Sequence, residues 1–197
     1  SMLSKYKLML EVIKRMKRIN INTFLSGYEL LLDKDNCLTD KERKAVSLFV
    51  GAMNDNLEYF TIKEWAYVLA TTFHETAHTF KPVVEAFWLS ESWRSRNLRY
   101  YPYHGRGFVQ ITWKENYQKF SDLLNVDLVN NPDLTLDFDN SFYILTYGFK
   151  HGTFTGRKIS DYVDFQEMRR CINGTDKAGL IASYSETFEE ILSDSLD

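Results

Sequence analysis

The 197-residue sequence predicts a mainly helical, single-domain fold with one loop-rich segment, and three features predict it. Apolar residues recur at helical spacing through most of the chain, and Thr–Glu cap signals stand just ahead of two of those runs. One stretch, after Pro82, loses the period and gathers glycine, proline, tyrosine and arginine. A chain of this length buries a sizeable core as one domain, and 44% hydrophobic with 15% aromatic residues fits a folded globule rather than disorder.

In chain order, Leu8, Met9, Val12, Ile13, Met16 and Ile19 predict a first helix, and Thr23 to Leu32 a second. The acidic run from Asp33 imitates a calcium loop, but Leu38 stands where glycine is needed and Lys44 where the bidentate Glu is needed, which excludes it. Thr39-Asp40-Lys41-Glu42 is a capping box opening a helix toward Met53, and Thr61-Ile62-Lys63-Glu64 opens the central helix. Ala86 to His104 is expected as loop with short irregular or strand pieces, and Phe108 to Ile111 as a short extended piece. Thr112-x-x-Glu115 is expected to cap a helix running to Leu124. A turn at Asn131-Pro132-Asp133, a helix over 140–149 and a helix from Phe165 to a glycine stop at Gly174 follow. The last helix, capped by Thr175 or Asp176 and running to Leu192, is expected to bury Leu180, Ile181, Tyr184, Phe188 and Ile191.

The formal net charge of -3 lacks the strongly basic balance that marks nucleic-acid or membrane-surface binders. Between Ser92 and Lys119, however, Arg94, Arg96, Arg99, Arg106, Lys114 and Lys119 face only Glu115, either as a mildly positive surface for an acidic polymer or as ordinary solvated charge. Cys37 and Cys171 make neither a disulfide framework nor a zinc cluster and fit a reducing compartment. No run is long enough to span a membrane, and Lys and Arg interrupt Leu8 to Ile19, so no secretory signal is expected.

The chemistry concentrates on Trp65 to Thr79. Trp65, Val68, Leu69, Thr72, Phe73 and Thr76 form one apolar stripe of a helix that Lys81-Pro82 stops soon afterwards. Glu75 falls at the edge of that stripe, where partial desolvation and the negative end of the helix dipole both disfavour a charged carboxylate, a placement suited to a general acid. The string His74-Glu75-Thr76-Ala77-His78 also reads as H-E-x-x-H, with His74 and His78 as zinc ligands and Glu75 as base. A plain surface helix with solvated histidines is the third reading. Downstream, Tyr101, Tyr103, Gln110, Thr112, Asn116 and Tyr117 supply the flat rings and amide forks that sugar faces and N-acetyl groups require.

Four motifs in order, AYVLATTFHETAHTFKPVVE (66–85), YHGRGFVQITWKENY (103–117), NPDL (131–134) and RRCINGTD (169–176), resemble family 19 glycoside hydrolases, the chitinase-like family, and within it phage and prophage endolysins. The resemblance covers residues 38–192 and leaves 1–37 as extra N-terminal helices. It implies a lysozyme-like helical fold with a substrate cleft and a small loop/β segment, and inverting hydrolysis without a covalent intermediate, cofactor or metal. By the same resemblance Glu75 is the acid, Glu85 the base with Glu91 as substitute, and Thr112 holds the water. Gln110, Asn116, Arg170 and Asn173 line the cleft, with Tyr103, Arg106 and Tyr117 as further substrate-binding residues. An inverting pair of carboxyls stands about 6.5–9.5 Å apart.

Ala77-His78 replaces the glycine pair usual in chitinases of the family, and the plant cysteines are missing, so the expected substrate is peptidoglycan, with chitin as the alternative. A zinc metallopeptidase and an inactive glycan-binding module are the rival classes. A monomer is expected, binding polysaccharide but not nucleic acid, without stable membrane insertion. It would be made in the cytoplasm and reach the cell wall after release by a separate permeabilising protein.

Overall fold

The computed structural model describes residues 1–12 and 17–197 in full and residues 13–16 by backbone alone, so the packing roles expected of Ile13 and Met16 lie outside the described side chains. Among the described residues nine α-helices follow one another: α1 (Met2–Met16), α2 (Ile21–Leu31), α3 (Asp40–Asp55), α4 (Ile62–Glu75), α5 (Glu91–Asn97), α6 (Lys114–Leu124), α7 (Phe138–His151), α8 (Phe165–Met168) and α9 (Ala178–Ser195). Two short strands, β1 (Val83–Val84) and β2 (Arg106–Gly107), pair antiparallel with Val83 opposite Gly107 and Val84 opposite Arg106.

The two capping boxes form as their sequences predict. The Thr61 hydroxyl accepts from the Glu64 amide at 3.1 Å while the Glu64 carboxylate accepts from the Thr61 amide at 3.0 Å, and Thr39 and Glu42 repeat the exchange at the start of α3. Each box satisfies amides that a helix start leaves without partners.

The helix α4 is more deeply enclosed than one apolar stripe implies. Every residue from Trp65 to Phe73 is buried, including Ala66, Tyr67, Ala70 and Thr71 on the side expected to face outward. The reason is the neighbour α9, which lies along α4 and carries Phe188 into a cluster with Phe24 and Tyr28 of α2, Phe73 of α4, and Phe80. Each such phenyl ring contributes about 1.5–3 kcal/mol by leaving water. Beneath α6 and α7 sits a second apolar cluster of Ile111, Tyr117, Phe120, Leu128 and Ile144. The helix α7 joins the two, sending Phe142, Leu145 and Phe149 into the first and Ile144 into the second.

Four local expectations change. The arginine-rich segment contains α5, whose start is capped by Ser90 through the Trp93 amide; seven residues are too few for a legible period. The extended piece lies earlier, at Arg106–Gly107, and Phe108 to Gln110 turns back so that Arg106 bridges Ile111. Trp113, at φ 71, occupies the cap of α6 in place of Thr112. Left-handed Lys177 likewise precedes α9 without a side-chain cap, and Leu180 on that helix is exposed.

Replacing Thr61 with Ala removes one half of the capping box at the start of the central helix. It is expected to cost about 1 kcal/mol and lower Tm by about 2–4 °C, measurable by thermal unfolding, with the far-UV spectrum unchanged.

Candidate active site

The central helix stops at Glu75 because Thr76 turns the chain. Its backbone amide donates to the Thr72 carbonyl at 3.0 Å, its hydroxyl donates to the same carbonyl at 2.7 Å, and that hydroxyl accepts from the Phe80 amide at 3.0 Å. Ala77, His78 and Phe80 follow with φ of 50°, 69° and 53°, angles that side chains other than glycine adopt at a cost of roughly 1 kcal/mol each. Burial of Phe80 against Phe49 and Tyr28 holds this turn in place. Glu75 is thereby left at the last helical position with a side chain 24% exposed, at the core–solvent edge that the helical wheel predicts.

Arg169, in the short turn between α8 and α9, reaches Glu75. Its side chain is 2% exposed; its Nε donates to the Asp176 carbonyl at 2.7 Å and its Nη1 to Glu75 Oε1 at 3.3 Å. That second distance exceeds the roughly 2.7–2.9 Å of a tight charge-assisted bond, so the pair is loose. Behind Glu75, Tyr67 and Thr71 precede it at i−8 and i−4, a polar row inside the otherwise apolar α4. Burial pushes the Tyr67 phenol up, and the Arg169 guanidinium opposes that shift.

From the turn the chain runs through β1 to Glu85, whose amide donates to the Gly105 carbonyl at 2.7 Å and extends the two-stranded ladder. The carboxylate is held on both oxygens. Tyr100 donates its hydroxyl to Oε1 at 2.8 Å, and the Gly105 amide donates to Oε2 at 2.8 Å. A Cβ at position 105 would stand 2.6 Å from Gln110 Oε1 and 3.2 Å from Glu85 Cβ, so only glycine permits this approach. Gln110 braces the same hairpin, its amide donating to the carbonyls of Val83 and Gly107. Partial burial, then the bond to Glu85, pushes the Tyr100 phenol up to about 12.

The sequence-derived site residues divide into two groups. Glu75, Glu85, Gln110, Thr112, Asn116 and Tyr103 are all partly exposed, and Asn173 is exposed. Thr112, relieved of capping, has a side chain that makes no hydrogen bond among the described residues, whereas Asn116 donates to the Thr112 carbonyl at 2.7 Å. Tyr103 spends its hydroxyl on the Val129 carbonyl.

Arg106 and Tyr117, expected to bind substrate, are instead buried. Arg106 pairs with Asp133 at 2.9 Å and donates to the Pro102 carbonyl and the Tyr117 hydroxyl, which itself donates to the His104 carbonyl. They buttress the loop from within, because a guanidinium with this many acceptors replaces the backbone pairing that an irregular segment lacks. Arg170 turns to Glu167 at 2.7 Å, and it is its neighbour Arg169 that meets Glu75. Glu91, the substitute base, is occupied by Tyr101 and by Arg94, which together lower its pKa, the tyrosine bond most.

The H-E-x-x-H string does not form one helical face. The helix ends before His78, whose ring stacks on Phe73 at a centroid distance of 3.8 Å, and partial burial lowers its pKa. Among the described residues no group of three or more His, Cys, Asp or Glu side chains is arranged to hold a metal ion.

Three features were not singled out from sequence. Arg169 and Tyr100 act across 94 and 15 residues, and no local pattern joins them to their glutamates. His104 is wholly buried, stacked on Tyr101, with both ring nitrogens unpartnered; burial first, then Arg106, lowers its pKa. Around Glu85 and Thr112 stand exposed aromatic rings, Phe87, Trp88 and Trp113, the last packed on Tyr100 at 5.1 Å with the Arg99 guanidinium over it at 5.0 Å.

This mostly helical fold with one short hairpin is similar to that of solved chitinases. Chitinase C from Streptomyces griseus HUT6037 superposes with a TM-score of 0.57 at 21% identity, covering 89% of this chain and 92% of that one. A bacterial family 19 chitinase superposes with a TM-score of 0.53 at 22% identity, covering 89% and 88%. The fold of this chain is therefore the family 19 chitinase fold.

Among curated proteins, chitinase 11 of Oryza sativa subsp. japonica is 64% identical over 33 residues, 17% of this chain and 13% of that protein. Basic endochitinase CHB4 of Brassica napus is 35% identical over 80 residues, 38% of this chain and 30% of that protein. The chain thus matches less than a third of the length of either relative. No family model matches it.

Folding should be weakened by alkali. Tyr28, Tyr67, Tyr100 and Tyr117 all have phenols raised by burial, Tyr100 and Tyr117 to about 12. The stability they contribute is complete below pH ~10, the unfolded value, and is lost as pH rises through ~12. Chemical denaturation at stepped pH checks this, and a spectroscopic titration of the folded chain in which all 12 tyrosines ionise at the ordinary value contradicts it.

Proposed function

We propose that the chain is a glycoside hydrolase cutting β-1,4 bonds between N-acetyl sugars, with chitin-type N-acetylglucosamine polymers as the substrate that the comparisons favour. The observation that carries the reading is the unlike environment of two glutamates on a chitinase fold. Glu75 is 24% exposed at the end of α4 with the Arg169 guanidinium at 3.3 Å, whereas Glu85 stands on the hairpin with its two oxygens accepting from Tyr100 and the Gly105 amide.

In this reading Glu75 donates its proton to the glycosidic oxygen as the bond to the anomeric carbon breaks. Water attacks that carbon and gives its proton to Glu85, so the proton count is restored with Glu75 ionised and Glu85 protonated. Each carboxylate oxygen of Glu85 retains a second lone pair for the water after bonding Tyr100 and Gly105. The unspent hydroxyl of Thr112 is available to the same water. As the leaving group takes the proton, Arg169 can close on the newly ionised Glu75 and stabilise it. The Trp113 and Tyr100 rings offer the flat apolar surface that a sugar face stacks upon.

Peptidoglycan, and with it the endolysin likeness, is the second reading. Its support is Ala77-His78, non-glycine residues held at φ of 50° and 69° where chitinases of the family usually carry glycines. Their side chains change the shape of the wall beside Glu75, which bears on substrate choice.

The test is hydrolysis of colloidal chitin and of purified peptidoglycan side by side, each with and without EDTA, reading new reducing ends. Release from chitin that ignores EDTA supports the first reading. Release from peptidoglycan alone with muramic-acid ends supports the second, and new amino termini that depend on zinc overturn both. Glu75→Gln is expected to lower kcat by a factor of about 10²–10⁴ with Tm preserved, since it keeps the shape and removes the proton. Arg169→Lys is expected to lower kcat about tenfold, because a point charge does not reproduce the fork between Asp176 and Glu75. Arg170→Lys, whose partner is Glu167, should stay within about twofold of the unsubstituted chain.

A further inference from the structure

The first helix fits no part of the site described above. By a 100° step, Val12, Met9, Met2, Tyr6, Leu10 and Leu3 fall within an arc of about 180° that also contains Lys5, Leu8 lies just outside it, and Lys7, Glu11 and Ser4 lie opposite. In a packed domain such an arc is buried. Here Met2 is 89% exposed, Tyr6 59% and Met9 51%, and Leu3, Leu10 and Val12 are exposed as well. Among the described residues no side-chain hydrogen bond joins α1 to the remainder of the fold.

The chain is secured immediately after the helix. Asn54 exchanges two hydrogen bonds with the Ile19 backbone at 2.7 and 2.9 Å, the Asn20 amide donates to the Ser195 carbonyl, and the Asp197 amide donates to the Arg18 carbonyl. The helix is thus rooted in the fold yet uncovered.

Charge selects the occupant. Residues 1–18 carry Lys5, Lys7, Lys14, Arg15, Lys17 and Arg18 against Glu11, a net of +5 in a chain of net charge -3, which leaves -8 on the rest. A solvated apolar face with a cationic surround, on a helix about 22 Å long, is the composition of a segment that lies in a membrane interface. Tyr6 and the long stem of Lys5 suit the headgroup level. A second copy fits less well, since two basic N-terminal segments of +5 repel, and one face of one such helix falls short of the about 800 Å² per partner of a standard interface.

We propose that α1 binds the surface of an anionic phospholipid bilayer, apolar arc inserted and basic residues on the headgroups, holding the catalytic fold at the membrane. No helix among the described residues is long and apolar enough to cross a membrane, so the attachment is peripheral. The inference does not depend on the hydrolase reading, because its test contains no sugar.

The test is cosedimentation of the 197-residue chain with vesicles of phosphatidylcholine alone and of phosphatidylcholine containing about a third phosphatidylglycerol, at low and high salt. Expected is capture by the anionic vesicles only, weakened at least about tenfold by salt, by Lys5→Glu with Lys7→Glu, and separately by Tyr6→Ser with Met9→Ser. Both variants should keep the wild-type Tm, since the four substituted side chains are exposed. Equal capture by neutral vesicles, or no capture by either, overturns the proposal. Binding that polyphosphate displaces and that Tyr6→Ser with Met9→Ser leaves intact overturns it in favour of a soluble polyanion. A concentration-dependent dimer in ultracentrifugation, abolished by Met9→Ser and unaccompanied by vesicle capture, overturns it in favour of self-association.

Discussion

Burial of α4 on every side is the constraint from which the remaining structure follows. A helix with Trp65 through Phe73 all out of water needs neighbours around its whole circumference, and α9, α7 and the aromatic cluster of α2 supply them. That enclosure ends at Thr76, and the turn beyond it is held by Phe80 in the same core. Glu75 is therefore located by packing rather than by its own bonds. Its position at the edge is what lets a carboxyl be both sheltered and reachable, the combination that proton donation to a leaving oxygen demands.

The second glutamate is placed by a different device. Glu85 stands on a hairpin of two-residue strands, too short to persist alone, which Gln110 braces by donating to the Val83 and Gly107 carbonyls while buried Arg106 donates to the Pro102 carbonyl of the adjoining loop. One carboxyl thus rests on a rigid core and the other on a polar loop. Glu91 has its oxygens taken by Tyr101 and Arg94, and their pull lowers its pKa.

Charge is divided in the same uneven way along the chain. The chain after residue 18 is acidic overall, while the first eighteen residues are strongly basic. An average net charge of -3 hides this. The uncovered apolar face of α1 shows why the local balance matters more: six exposed apolar side chains next to cations have a physical use only where water gives way to something else.

By itself the sequence determined the helical period of the central segment, both capping boxes, the position of Glu75 on its helix and the polar character of the 100–117 loop, because each depends on residues within a few positions of one another. Only the tertiary structure decided which polar groups are free. Arg106 and Tyr117 read as surface residues until the loop closes over them, and Thr112 read as a cap until Trp113 took that place. The H-E-x-x-H spacing lost its meaning when the helix stopped short of His78. Arg169 meets Glu75 across 94 residues, a contact no local pattern encodes, since it exists only once α9 has packed against α4 and carried the turn before it to the helix end.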